Sequence, residues 1–378
     1  MKVVVAIDSF KGCLTSLEAG NCVKDAILEV MPADVTVTAL ADGGEGTVEA
    51  LMRCMHGEEI PIEVTGPLGE KISSYYGVLK DNKVAVMEMA NVAGITMVHG
   101  TSKNPMNTTT YGVGEMILHA MNAGYREFIM GIGGSATNDG GMGMLTALGV
   151  KFYNDKGQPA GIFGRDVMRV AKVDVSEMNP LLKECHFTIM SDVKNPLCGD
   201  MGSSVIFGPQ KGATAKTIPQ MDEGLRRYAD IIKEATGKDC SDMEGAGAAG
   251  GLGFAFLTFL NTTLKPGISF MLEQLHMEDM ISDADIVITG EGCLDAQTAM
   301  GKTPIGVANL AKKHGAKVIG FAGSIGSGAM ECNAFGLDAY FGICGKPMTM
   351  EEAMDKETAL HNLKRTVTQV FRLIKEVG

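Results

Sequence analysis

Gly131-Ile132-Gly133-Gly134-Ser135-Ala136-Thr137-Asn138-Asp139-Gly140-Gly141 follows the apolar run Phe128-Ile129-Met130 and precedes the helix-like run Met142 to Leu148. A strand that breaks into glycines and restarts as a helix is a βα joint of an α/β fold. Backbone N–H groups at such a helix start, together with the helix dipole, attract a phosphate or carboxylate. The polar set Ser135, Thr137, Asn138 and Asp139 exceeds what a turn needs and suits contact with a small polar ligand. A plainer reading makes Asn138 or Asp139 the N-cap of the following helix. The stretch also fits G-x-G-x-x-A from Gly131 to Ala136, and Asp155 lies about twenty residues on, where a nicotinamide enzyme places its ribose-binding acid. An NAD(P)-dependent dehydrogenase of a small hydroxy acid is therefore the competing reading. Against it, the turn is too polar for close helix–strand packing at its third small residue.

Outward from this stretch, the 378 residues suffice for two domains with a sizeable core, and the 45% hydrophobic content is that of a globular chain. The net charge of −12 argues against a nucleic-acid or membrane-surface partner, which would want a basic face. An anionic ligand would then need local cations, and Lys11, Lys194, Lys211 and Lys302 sit inside glycine-rich or polar motifs. Nine cysteines without a C-x-x-C read as reduced thiols of a cytoplasmic protein. Seven isolated histidines argue against zinc. Met1 to Ile7 is too short for a signal peptide's apolar core, and Gly245 to Leu264 reads as a buried core helix rather than a membrane span.

Acids recur at the ends of the predicted strands. Val3 to Ile7 reads as a buried parallel strand ending in Asp8-Ser9-Phe10-Lys11-Gly12, and a helix follows from the capping box Thr15-x-x-Glu18 to Pro32. Asp8, Ser9 and Lys11 thus lie where open α/β sheets place ligands. Val35 to Leu40 is a second strand, ending in Ala41-Asp42-Gly43-Gly44-Glu45-Gly46-Thr47; its paired acids suit Mg²⁺ or a hydroxyl. From Pro61 onward short strands and turns change the character of the chain, and Glu88, Asn91 and Gly94 end one run where they could face a cleft. Phe187 to Met190 ends in Ser191-Asp192-Val193-Lys194. Phe207 to Gly212 is a rigid turn carrying Lys211. Gly245 to Gly250 spells G-x-G-x-x-G without a preceding strand and reads as close packing. Asp285 to Thr289 returns to the buried-strand style and runs into Glu291 and Asp295, with Lys302 before a helix capped by Thr303 and opened by Pro304. Thr358 to Val377 is an amphipathic terminal helix.

The ends resemble each other and the middle differs. The expected fold is α/β with two domains: a doubly wound (flavodoxin- or Rossmann-like) parallel-sheet domain of residues 1–66 plus 276–378, split by a long α/β insertion of residues 67–275. The active site is expected in the cleft between them.

Taken in order, Asp8-Ser9-Phe10-Lys11-Gly12, Ala41 to Thr47, Gly133 to Gly141, Asn195-Pro196-Leu197-Cys198-Gly199, Phe207 to Gly212, Gly247 to Gly253 and Thr289-Gly290-Glu291-Gly292-x-x-Asp295-x-Gln297-Thr298-x-x-Gly301-Lys302 resemble the bacterial glycerate kinase family. These motifs span almost the whole chain in the family's order. The resemblance implies a cytoplasmic phosphotransferase that uses ATP and Mg²⁺ to convert D-glycerate to 2-phospho-D-glycerate; phosphorylation at the 3-position by the same fold is the nearest alternative. On that footing Asp192, Lys11 and Asp8 are the catalytic candidates, with Asp192 favoured as general base. Ser9, Gly133, Gly134, Ser135, Asn138, Asp139, Lys211 and Lys302 are the substrate- and phosphate-binding candidates. Asp42, Glu45, Glu291 and Asp295 are the metal candidates. Oligomeric state, enantiomer and the domain that holds adenine stay open at this level.

Overall fold

A computed structural model describes residues 1–10 and 12–377. Its strands, in chain order, are β1 (Lys2–Ile7), β2 (Asp34–Val37), β3 (Glu58–Thr65), β4 (Lys71–Leu79), β5 (Val84–Glu88), β6 (Glu127–Gly131), β7 (Lys151–Tyr153), β8 (Lys172–Asp174), β9 (His186–Met190), β10 (Thr262–Lys265), β11 (Ile286–Leu294), β12 (Lys317–Ile325) and β13 (Ala339–Gly342). The chain divides into two compact units, residues 1–42, 49–54 and 267–378 in the first and residues 43–48 and 55–266 in the second.

The first unit holds a five-stranded sheet ordered β13-β12-β11-β1-β2, parallel throughout. Val3, Val4 and Val5 of β1 are fully buried because β11 and β2 flank the strand and helices cover the sheet, which is why it reads as an unbroken apolar run. The helix Ser16–Val30 starts at the expected capping box: Thr15 Oγ1 accepts from the Glu18 N–H and Glu18 Oε2 accepts from the Thr15 N–H. Its apolar side chains and those of the terminal helix Lys356–Val377 pack on one face of the sheet in one core containing Val23, Ile27, Leu363, Val367 and Phe371. The helix Thr303–Lys313 packs on β11 and β12.

The second unit holds a six-stranded sheet ordered β10-β9-β6-β5-β4-β3. Its pairs from β10 to β5 are parallel and those from β5 to β3 antiparallel. Phe128 of β6 and Phe187 of β9 stack at 4.7 Å between ring centroids inside its core. The ladder explains why the division differs from the expected 66/67 and 275/276 boundaries. β3 pairs along its length with β4, so the second unit takes in residues before Gly66, and the first resumes at Gly267, directly after β10. The expected helix over Gly245 to Leu264 also needs correction: the helix ends at Phe259 and Thr262–Lys265 is a strand paired with β9. The β-branched Thr262 and Thr263 favour that extended pairing.

Candidate active site

In the first unit the candidate residues gather at the carboxyl ends of the central strands. From β1 the chain passes to β2 on one side, while β11 pairs on the other, so the strand order reverses between β1 and β11. Open α/β sheets bind ligands outside the carboxyl ends of strands at such a reversal. A cavity of about 650 Å³ lies there, lined among others by Ser9, Glu291, Asp295 and Lys302. Asp8 is buried, and its Oδ1 accepts from the Ser9 N–H at 2.7 Å, which fixes the turn out of β1. The Ser9 hydroxyl is buried and has no hydrogen-bond partner among the described residues, an orphan that a ligand oxygen would satisfy. Lys11 lies outside the described residues.

Glu291 is buried and accepts from the Thr298 hydroxyl. Asp295 Oδ1 accepts from the Gln297 and Thr298 N–H groups at 2.8 and 3.2 Å, so it caps the short helix Ala296–Ala299. Lys302 is half-buried and is itself the N-cap of the helix Thr303–Lys313, one residue earlier than expected, with Thr303 and Pro304 in the first turn. Asp42 is half-buried in this unit, whereas Glu45 belongs to the second, so this sequence pair is divided between units. Among the described residues no three His, Cys, Asp or Glu side chains converge to hold a metal.

In the second unit the Gly43–Val48 loop docks on the ends of β6 and β9. Gly133 N–H donates to the Gly43 carbonyl at 3.0 Å, and a Cβ on Gly131 would lie 2.3 Å from that carbonyl, so glycine is required there. Glu88, at the end of β5, is 2% exposed and accepts from the Gly46 and Val48 N–H groups at 3.2 and 2.9 Å. Burial raises its pKa to about 7. Its sequence signal was the one shared by the other candidates, an acid closing an apolar strand. Asp192 follows β9 and is exposed.

The glycine stretch itself corrects two expectations. Asp139 is 0% exposed and accepts four hydrogen bonds, from the Thr110 N–H, the Thr110 hydroxyl and the Gly141 and Gly143 N–H groups. Burial pushes its pKa up and those donors pull it down. Asn138 is also buried; it donates from Nδ2 to Ser204 and accepts at Oδ1 from Ser203. Both side chains are spent inside the protein instead of facing a ligand. Neither is the N-cap, which is Gly141, although Asp139 satisfies the first-turn N–H groups from two residues earlier. Lys211 is 3% exposed, donating to the Ser135 hydroxyl at 2.7 Å and the Thr137 carbonyl at 2.6 Å. Burial lowers its pKa to about 7, against a smaller raising effect from Asp139. Lys211 therefore stands behind Ser135. Within the turn, Gly134 is exposed and Gly133 half-buried.

The nicotinamide reading fails on topology. Asp155 is an exposed turn residue after β7, and β7 pairs antiparallel with β8 in a separate two-stranded sheet rather than beside β6. The ribose-binding acid of a dinucleotide fold ends the strand adjacent to the glycine turn. Gly245 to Gly250 does serve close packing: a Cβ on Gly250 would lie 2.0 Å from the Thr137 carbonyl.

The model of the glycerate kinase family matches residues 3–375. The chain belongs to the glycerate kinase family. It is 46% identical to a glycerate kinase of Haemophilus influenzae, over 99% of each chain. It is 44% identical to a glycerate 2-kinase of Escherichia coli, over 93% of each. Among solved structures, a chain described as a glycerate kinase 2 from Salmonella typhimurium LT2 superposes with a TM-score of 0.80 at 42% identity, covering 100% of this chain and 98% of that one. Membership makes the protein a kinase that uses ATP as co-substrate. Among the described residues no helix is long and apolar enough to cross a membrane.

Proposed function

We propose that this protein transfers the γ-phosphoryl group of ATP to the 2-hydroxyl of D-glycerate, giving 2-phospho-D-glycerate. The observation that carries this reading is the near full-length similarity to a glycerate 2-kinase. The family's motifs at the carboxyl ends of the parallel strands in both units support it. Phosphoryl transfer needs positioning and charge neutralisation more than covalent chemistry. Ser9 and Lys302 are assigned to the nucleotide phosphates. The Gly133–Ser135 turn, with the Lys211 charge one hydrogen bond behind it, is assigned to the glycerate carboxylate.

Mg²⁺ fits the donor set. Glu291 and Asp295 offer hard oxygen ligands, and the absence of a three-carboxylate cage among the described residues suits a cation that keeps water and phosphate ligands. Glu291 and Asp295 would hold it, and when bound it neutralises charge on the phosphates. Asp42 and Glu45 are the further acids in reserve for this role. Asp192 is assigned as the base that takes the proton of the attacking hydroxyl, and Asp8 orders the turn that presents Ser9. The nine cysteines are free, and the cytoplasm is the proposed compartment. The net charge of −12 supports small-molecule partners and no nucleic acid.

The decisive assay is ADP release from Mg·ATP with and without D-glycerate, with the product identified by phosphorus NMR. A 2-phosphate signal is expected; a 3-phosphate signal corrects the position, and no glycerate-dependent ADP sinks the reading. Asp192→Asn is expected to slow turnover by about 100-fold or more with the KM for ATP little changed. Turnover within a few-fold of the parent would remove Asp192 from the role of base.

A further inference from the structure

The cavity of the first unit is larger and more apolar than phosphates and acids require. Its volume of about 650 Å³ lies in the range of pockets that enclose a whole organic ligand and far exceeds a three-carbon acid. Beside Ser9, Glu291, Asp295 and Lys302 it is lined by Phe10, Ile343, Pro347, Met348, Met350 and Met354. Unbranched thioether side chains adapt to a flat ring and make favourable contacts with it.

One polar group interrupts this wall. Asn362, on the helix Lys356–Val377, is 4% exposed and lines the cavity. Its neighbours on that helix, Ala359, Leu363 and Val367, are buried apolar residues. The Asn362 backbone carbonyl accepts from Thr366, which leaves the side-chain amide on the cavity wall. An amide on a cavity wall offers a ligand both a donor and an acceptor.

We propose that this cavity holds the adenine ring of the nucleotide and that the Asn362 amide reads the ring's edge. The proposal rests on the kinase reading above and extends it to the base. An amide offers an N–H donor beside a carbonyl acceptor, which match the N7 acceptor and N6 amino donor of adenine. Guanine presents two acceptors on the same edge and leaves the amide oxygen unmatched. Ser9, Lys302, Glu291 and Asp295, at the carboxyl ends of β1 and β11, take the phosphate end of the same molecule. A second hollow of about 560 Å³ shares Lys346, Met348 and Asn362, but Glu357, His361 and Arg365 make its lining charged and poorly suited to a base.

The test uses the full chain with Mg·ADP and Mg·GDP titrated by calorimetry, and with 8-azido-ADP as photolabel. Asn362→Leu is expected to weaken ADP about tenfold and GDP much less, leaving the KM for D-glycerate unchanged. Met350→Arg, at a largely exposed position that tolerates a charge, is expected to weaken ADP while the fold stays intact. The azidoadenine adduct is expected on the peptides carrying Phe10 or residues 343–362. ADP affinity unchanged in both variants, or an adduct confined to residues 43–48 and 55–266, overturns the proposal. A protein that labels in this cavity yet forms no ADP with glycerate keeps the adenine site and loses the kinase reading. Normal glycerate-dependent turnover with the label elsewhere does the reverse.

Discussion

The two units use one sequence grammar, an apolar strand followed by glycines, polar residues and a helix, and put it to different ends. After β6, in the second unit, the polar side chains are turned inward: Asp139 accepts four hydrogen bonds, Asn138 bonds two serines, and Lys211 is buried against Ser135. After β1 and β11, in the first unit, they line an open cavity, and the buried Ser9 hydroxyl has no partner among the described residues. Saturated hydrogen bonding builds a rigid turn that can hold an anion through its backbone. Unsaturated hydrogen bonding leaves groups for a ligand. What separates a structural polar residue from a binding one is therefore whether its partners are already inside the protein.

The largest effect that would break this contrast is in the second unit. Asp139→Ala leaves Thr110 and two helix N–H groups unsatisfied in a dry core and is expected to cost about 3–5 kcal/mol of stability, read from the urea midpoint. A loss below about 1 kcal/mol would show that the turn does not depend on this carboxylate. Next comes the pH dependence of the acceptor. Burial lowers the Lys211 pKa to about 7, so at higher pH the neutral amine predominates, and an anion at Ser135 must bring in a proton. D-Glycerate affinity is expected to be level below about pH 7 and to fall above it, by at most about tenfold per unit. Lys211→Met should lower the affinity and flatten this profile; a wild-type profile flat from about pH 6 to pH 9 would separate Lys211 from the acceptor. The smallest stability effect belongs to the first unit. Asparagine caps a helix about as well as aspartate, so Asp295→Asn is expected to shift stability by less than about 0.5 kcal/mol. Turnover should fall nonetheless and become more dependent on Mg²⁺ concentration. A parent-like response to Mg²⁺ would make Asp295 a cap only.

The fold class was legible because its signals are local. Val3 to Ile7 and Ile286 to Thr289 are unbroken apolar runs, and Thr15 with Glu18 announces a helix start that the structure reproduces. The position of β3 was harder to read. Residues 58–65 carry alternating burial that looks the same whichever sheet they join, and only the ladder with β4 assigns them to the second unit. Thr262 to Lys265 were hidden in the same way, since a strand after a small-residue helix has no periodicity of its own at four residues.

By itself the sequence determined most of the strands and helices, the segments that carry Asp8, Asp42, Glu88, Asp192, Glu291 and Lys302, and the family to which those motifs belong. Each of these depends on residues close together along the chain, where spacing and dihedral preference act directly. Only the tertiary structure decided that Asp139 and Asn138 are consumed by Thr110, Ser203 and Ser204, and that Lys211 stands behind Ser135. It also brought a lone asparagine in the terminal helix, Asn362, to the wall of a cavity opened by β1 and β11. Hydrogen-bond satisfaction and burial are properties of groups that meet across tens or hundreds of residues, and no local pattern encodes which partner arrives.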